Sequence, residues 1–240
     1  MKLDPHIHSI YSGDARSKPK DIIKQASFLG LDAIAISDHN SVEGSKIAIE
    51  LSKNIDNLLI VPSIEISSSE GHILGFGVEK VIPRDLSPVE TVERIHDQGG
   101  LAIVPHPFSS YRDGLFFNNR KAIEKLTNPD YSNDSSDNNY DNLKIDGVEV
   151  LNARYIIGYS NYKSNKLAEK SNLAKIGSSD SHFLDSIGNC YTEIKNIDSE
   201  PTIDDIIEAI KSKDTIAKGT RTSNKLILKE VFNKKIRRIY

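Results

Sequence analysis

The first fourteen residues, MKLDPHIHSIYSGD, contain His6, His8 and Asp14. Side chains alternate faces along an extended strand, so His6 and His8 present two imidazoles on one side, an arrangement that suits a first-row metal ion. An isolated H-x-H is an ordinary pair of surface histidines. Here the same grammar recurs, because short apolar runs adjoin Asp38-His39, Glu65, Gly71-His72, His106-Pro107 and Asp180-Ser181-His182. Of the seven histidines, only His96 falls elsewhere, expected mid-helix on a solvent face and read as structural or incidental. The candidate metal ligands are therefore His6, His8, Asp14, His39, Glu65, His72, His106, Asp180 and His182. That many carboxylates and imidazoles on one rim would cost stability unless metal compensated them.

The elements that must position these residues alternate along the chain. Residues 19–30 predict a helix, with Pro19 in its first turn and Gly30 ending it. The run LDAIAIS (31–37) reads as a strand covered on both faces, ending in Asp38-His39-Asn40. A helix over 42–53 and a strand over 57–63 lead to Glu65, and Ile73–Val78 follows as a hairpin tip or a fourth strand. Ser87 and Pro88 open a helix over 87–99, and LAIVP (101–105) ends in His106. Residues 108–145 break the rhythm: a loop over the strand ends, a short helix near 119–126, and the Asn/Asp/Ser-rich 128–142, whose composition predicts a flexible surface loop. A strand over 145–152 brings Glu149, Asn152 and Arg154, a helix covers 160–171, and 172–182 forms a last strand ending in Asp180-Ser181-His182. Beyond 190 a strand, a helix with Thr202 as cap and a basic tail over 215–240 are expected. In that tail Lys225, Lys229, Lys234, Lys235, Arg237 and Arg238 read as a solvated helix face.

Seven alternations of strand and helix argue for a closed parallel barrel or a doubly wound sheet. Candidate ligands after nearly every strand favour the barrel, where all strand ends converge on one face. The bulk properties exclude several other classes. A net charge of −3 argues against a generally basic nucleic-acid surface. One cysteine, Cys190, cannot form an internal disulfide and fits a reducing compartment. The metal motif leaves no room before it for a signal peptide, and no run of about eighteen apolar residues suggests a membrane span. A cytoplasmic protein is expected, with no membrane partner.

In this order, H-x-H at 6–8, Asp14, S-D-H-N at 37–40, P-S-I-E at 62–65, G-H at 71–72, P-H-P at 105–107 and S-D-S-H at 179–182 resemble the polymerase and histidinol phosphatase (PHP) family of metal-dependent phosphoesterases. The resemblance covers about residues 2–195. It implies an α/β fold, a distorted (β/α)7 barrel of TIM-like, PHP type, with the metal site at the C-terminal face of the strands. The whole chain, 1–240, is then one PHP domain, with about 196–240 packed on or beside the barrel. The resemblance further implies two or three divalent ions, Zn, Mn or Fe. His6, His8, Glu65 and Asp180 would surround one, Asp14, His39 and His182 a second, and His72 and His106 a third, with Glu65 bridging.

The activity implied is hydrolysis of a phosphate ester of a small metabolite or nucleotide through a metal-bridging hydroxide. Glu65 and Asp180 are its catalytic carboxylates. Arg154 is the first candidate for a phosphate clamp and Arg112 the second, since guanidinium binds phosphate in a fork. A PHP-type exonuclease or polymerase-associated editing module acting on nucleic-acid ends is the alternative, supported by the basic tail and by Tyr111, Phe116 and Phe117 in one loop. An amidohydrolase-type barrel also starts with H-x-H, but Asp14, Asp38-His39 and S-D-S-H fit the PHP pattern better.

Overall fold

The run read as the first buried strand after the helix at 19–30 forms β2 (Ala33–Ile36), and all four of its residues are buried, as two covered faces require. The computed structural model describes residues 1–228 except Asn54, Asp56, Asn118, 129–139, 141–142, 156–157 and 198–199. The surface loop expected over 128–142 therefore lies almost wholly outside the described residues, as do the basic positions from Lys229 onward.

Around β2 stand β1 (Lys2–Ile7), β3 (Leu59–Ser67), β4 (His72–Phe76), β5 (Leu101–Val104), β6 (Gly147–Asn152), β7 (Ala174–Ser178), β8 (Cys190–Ile194) and β9 (Thr215–Gly219). They form one sheet of order β7-β6-β5-β4-β3-β2-β1-β8-β9. Helices α1 (Pro19–Phe28), α2 (Glu43–Ser52), α3 (Pro88–His96), α4 (Arg120–Thr127), α5 (Tyr159–Ser171) and α6 (Ile203–Lys211) connect them. Pro19 and Pro88 stand in the first turns of α1 and α3, and the Ser87 hydroxyl accepts from Glu90 N as the N-cap. Thr202 and Asp205 close a reciprocal capping box on α6.

The expected parallel barrel needs correction at β4 and at β8, which pairs antiparallel with β1 and β9. β4 runs antiparallel to both β3 and β5, while β1–β2–β3 and β5–β6–β7 pair in parallel. The reason is local: only Ser68–Gly71 separate β3 from β4, too short for a parallel crossover. The hairpin also carries β3 on to Ser67, so Glu65 lies inside the strand, opposite Leu74. Because β4 is reversed, its first residue, His72, reaches the rim where the parallel strands end.

The sheet curls into a nearly closed barrel. β7 approaches β1 through a parallel bridge between Ile7 and Ser181, and Asp4 Oδ1 accepts from Ser179 N at 3.0 Å. Across the same seam Gly177 N donates to Thr192 Oγ1 of β8 at 3.0 Å. A Cβ on Gly177 would stand 2.4 Å from Tyr191 O, so only glycine lets these backbones approach. Inside, Leu3, Ala33, Ala35, Val61, Leu74, Phe76, Leu101, Ile103, Ala174 and Ile176 pack with Ile206 and Ile210 of α6. Burying each of those two isoleucines is worth ~1.5–3 kcal/mol, which anchors α6 over the end opposite the histidines.

Candidate metal centre

His6 and His8 are aimed by partners on their far nitrogens. His6 Nδ1 lies 2.8 Å from Glu149 Oε1, and a carboxylate only accepts, so the imidazole carries its proton there. His8 Nδ1 lies 2.9 Å from Ser12 Oγ, whose hydroxyl donates to Asp14 Oδ1 at 2.9 Å and accepts from His39 N at 3.2 Å. With its proton given to Asp14, Ser12 receives one from His8. Both imidazoles therefore turn Nε2 inward, 2.9 Å apart. Facing lone pairs repel, so this pair calls for a cation or a proton.

Glu65 is the hub. Its Oε2 lies 3.3 Å from His6 Nε2, 3.2 Å from His8 Nε2 and 3.1 Å from His39 Nδ1. Its Oε1 lies 2.9 Å from His72 Nδ1 and 3.0 Å from His106 Nε2. Asp180 Oδ1 stands 3.8 Å from His6 Nε2, 3.6 Å from His8 Nε2 and 3.6 Å from His182 Nδ1. Asp14 Oδ2 lies 3.0 Å from His182 Nε2 and 3.6 Å from His39 Nε2. All nine candidate ligands thus meet at one end of the barrel. His106 and Asp180 hold left-handed backbone at φ 30 and φ 49, conformations that cost about 1–3 kcal/mol and cluster at functional sites.

Electrostatics follow the crowding. Burial opposes the charged form of Glu65, but His39, His72 and His6 outweigh it and hold the carboxyl well below its usual range. Asp180 is held well below likewise, against burial, by His6 and Arg112. Burial opposes charge on His8 too, yet Asp180 and Glu65 raise it to about 9. His106 falls to about 4 and His182 to about 3, each chiefly through burial, with Arg154 adding to the effect at His182.

The residues fit divalent ions. His39 Nδ1, His72 Nδ1 and His106 Nδ1 are buried without a hydrogen-bond partner among the described residues, and the first two lie close to Glu65 oxygens without hydrogen-bond alignment. Mixed imidazole and carboxylate donors suit Zn, Mn or Fe. Three groups place donor atoms within 4.8 Å of one another: His8, Asp14, His39 and His182; His6, His8 and Asp180; and His39, Glu65 and His72. This distribution differs from the partition that the resemblance implies. His8 and His39 each belong to two groups, and His106 reaches the cluster through Glu65.

Several residues with work to do here carry little sequence signal. Glu149 is fully buried in β6, where it also accepts from His106 N and Asn152 Nδ2, both at 2.7 Å, and from Ser178 Oγ. A glutamate inside the run VEV was its one visible sign. Asp38 does not join the cluster. Its carboxylate accepts from Ser9 N at 2.5 Å and Ser9 Oγ at 2.6 Å, tying the end of β2 to the turn after β1, and burial raises its pKa. A Cβ on Gly44 would fall 2.0 Å from Asp38 Oδ2, so glycine there lets α2 pack over this tie. His96 ends α3 instead of lying mid-helix, and its Nε2 pairs with Asp146 Oδ2 at 2.8 Å.

Two arginines flank the cluster. Arg112 Nη1 contacts Asp180 Oδ2 and donates to Asn152 Oδ1 at 3.1 Å, with its guanidinium 4.7 Å from the Tyr155 ring centroid. Arg154 Nη1 lies 3.1 Å from His182 Nε2 and 3.8 Å from Asp180 Oδ1. Arg112, ranked second from sequence, is the closer of the two to Asp180. Both line a pocket of 820 Å³ with His8, Glu65, Phe108, Tyr111, Phe183 and Ile227. No helix among the described residues is long and apolar enough to cross a membrane.

A nearly closed α/β barrel with a rim of histidines and carboxylates defines a metal-binding barrel protein. The chain belongs to the PHP family: residues 4–98 match the model of the PHP domain, and 158–215 match that of the PHP-associated segment. It is 36% identical over 171 residues to the uncharacterized protein MJ1587 of Methanocaldococcus jannaschii, covering 67% of this chain and 87% of that one. In structure it is similar to a two-domain protein of Bacteroides vulgatus containing a predicted PHP-like metal-dependent phosphoesterase. That match has a TM-score of 0.67 and 19% identity, over 98% of this chain and 69% of that one. It is similar too to PsfC from Pseudomonas syringae, with a TM-score of 0.68 and 17% identity, over 98% and 97% of the two chains.

Proposed function

We propose that this protein hydrolyses a phosphate ester of a small metabolite or nucleotide, with two or three divalent ions held by the nine residues of the cluster. The observation that carries the reading is the convergence of Arg112 and Arg154 on Asp180, beside the buried Glu65 hub. When bound, the ions lower the pKa of a water and offset the charge of the phosphate oxygens. The chain's own residues do the rest. Glu149 and Ser12 fix the tautomers of His6 and His8, so that Nε2 faces inward in both. Glu65 and Asp180, held ionised, supply the negative charge that retains the cations. Arg112 and Arg154 orient the phosphoryl group through its outer oxygens.

A pocket of 820 Å³ is far larger than a phosphate and leaves room for the esterified alcohol. One observation favours the nucleic-acid alternative: Tyr111, on the pocket lining, is 95% exposed and offers a ring on which a base can stack. Screening metal-loaded protein against phosphomonoesters, nucleotides and short single-stranded oligonucleotides separates the readings. Turnover of small monoesters with inert oligonucleotides is the expected result. The reverse selects the nucleic-acid reading, and a screen with neither phosphate release from the monoesters nor cleavage of the oligonucleotides removes both.

A further inference from the structure

The 215–240 stretch, read from sequence as a mixed basic tail, begins as strand β9, and beyond it the chain returns to the pocket. Thr220 N donates to Asn189 O at 2.7 Å, and Thr222 N donates to Ala153 O at 2.8 Å. Asn189 Nδ2 donates to Thr222 Oγ1 at 3.0 Å, and Arg221 Nη1 donates to Tyr155 O at 3.2 Å. These bonds strap residues 220–222 onto Asn189 and onto the loop that carries Arg154 and Tyr155. Residues 224–228 then turn helical and bring Ile227 to the pocket. Ile227 is 5% exposed yet belongs to none of the three apolar clusters of the core. It lines the cavity with Phe108 and Phe183. The strap also lies outside both family-model matches, 4–98 and 158–215.

We propose that the strap 220–228 forms the part of the site that receives the alcohol of the phosphate ester, and that Ile227, with Phe108 and Phe183, selects alcohols that are apolar or planar beside the phosphate. The inference rests on the phosphoesterase reading above. The pocket divides chemically: histidines, carboxylates and two arginines form its charged part, while an isoleucine and two phenylalanines are apolar. A polyol seated against these three side chains would leave hydroxyls desolvated and unpaired, whereas an aryl or alkyl group would exchange water for apolar contact.

Stable phosphonates test this without turnover. Isothermal titration of the metal-loaded full chain with phenylphosphonate and with methylphosphonate yields a ratio of dissociation constants. The wild type should favour phenylphosphonate by roughly tenfold or more, the scale of a methylene or two in an apolar pocket. Ile227→Ala should cut that ratio several-fold and leave methylphosphonate affinity unchanged, while Ile227→Leu should preserve it. A wild-type ratio near one, or a ratio untouched by Ile227→Ala in a variant with wild-type melting behaviour, overturns the role of the strap. Failure of metal-loaded protein to bind either phosphonate removes the phosphoesterase reading itself, and the inference with it.

Discussion

His6 and Glu149 stand 143 positions apart in the chain and meet across the barrel interior, with Nδ1 2.8 Å from Oε1. That one bond aligns the ring and commits its other nitrogen to the cluster. A carboxylate behind a metal-binding imidazole also raises its basicity. Glu149→Gln keeps the shape and removes the charge. Affinity for the most tightly held divalent ion should fall about 10–100-fold in this variant, as for partners behind metal ligands generally. Competition with a chromogenic chelator measures it, and wild-type affinity would reduce Glu149 to a packing residue.

Ser12 makes the corresponding bond to His8 while it holds Asp14 and the backbone of His39. One hydroxyl therefore supports three candidate ligands. Ser12→Ala should weaken ion binding about tenfold or more, while Ser12→Thr, which keeps the hydroxyl, should recover most of it. The melting temperature of the metal-free protein should change little in either, since Ser12 is only half-buried. Equal ion affinity in Ser12→Ala and wild type would contradict this assignment.

The histidines set opposite pH trends for stripped and loaded protein. Asp180 and Glu65 raise His8 to about 9 in the folded state, against burial, from an ordinary value of 6.5. A raised value contributes stability that is complete below 6.5 and is lost as pH climbs through 9. His6 shifts in the same direction. The chelator-stripped protein should therefore melt at progressively lower temperature from pH 6.5 to 9. Ion binding must displace those protons, so affinity for the ion should rise over the same interval. Thermal scans of both forms at matched ionic strength check the signs. A stripped protein that gains stability across this window would show that the two imidazoles are neutral without metal.

Arg112 and Arg154 should act on substrate more than on metal. Loss of the Arg154 side chain should lower kcat/KM by roughly 1.5–3 kcal/mol, the worth of a charge-assisted hydrogen bond, with ion content unchanged. Arg112→Ala should match or exceed this, because Arg112 lies closer to Asp180. Wild-type kinetics in both variants would place the phosphate elsewhere.

Much of this site is written in local patterns, and the remainder depends on distant pairings. Apolar runs such as AIAI and LAIV mark buried strands, and a histidine or acid next to each run marks the rim. The direction of β4 is not legible in this way, since HILGF reads alike in a parallel or an antiparallel strand. Its reversal depends on the short link after Ser67, and it alone brings His72 to the other ligands. Arg112 meets Asp180 from 68 positions away, in a stretch whose sequence reads as an irregular loop. The apolar role of Ile227 was hidden by the basic residues that surround it in sequence.

On the proposed function, Glu65 gathers metal ions into a site that hydrolyses phosphate esters. The most direct test follows phosphate release alongside elemental analysis, for wild type and Glu65→Gln, each stripped with chelator and reloaded with Mn²⁺ or Zn²⁺. Wild type should bind two or three ions per chain and recover activity on reloading. Glu65→Gln should remain folded, bind fewer ions and lose most turnover, because a neutral amide cannot replace the charge at the hub. Undiminished turnover by stripped wild-type protein, or by fully loaded Glu65→Gln, would contradict the account.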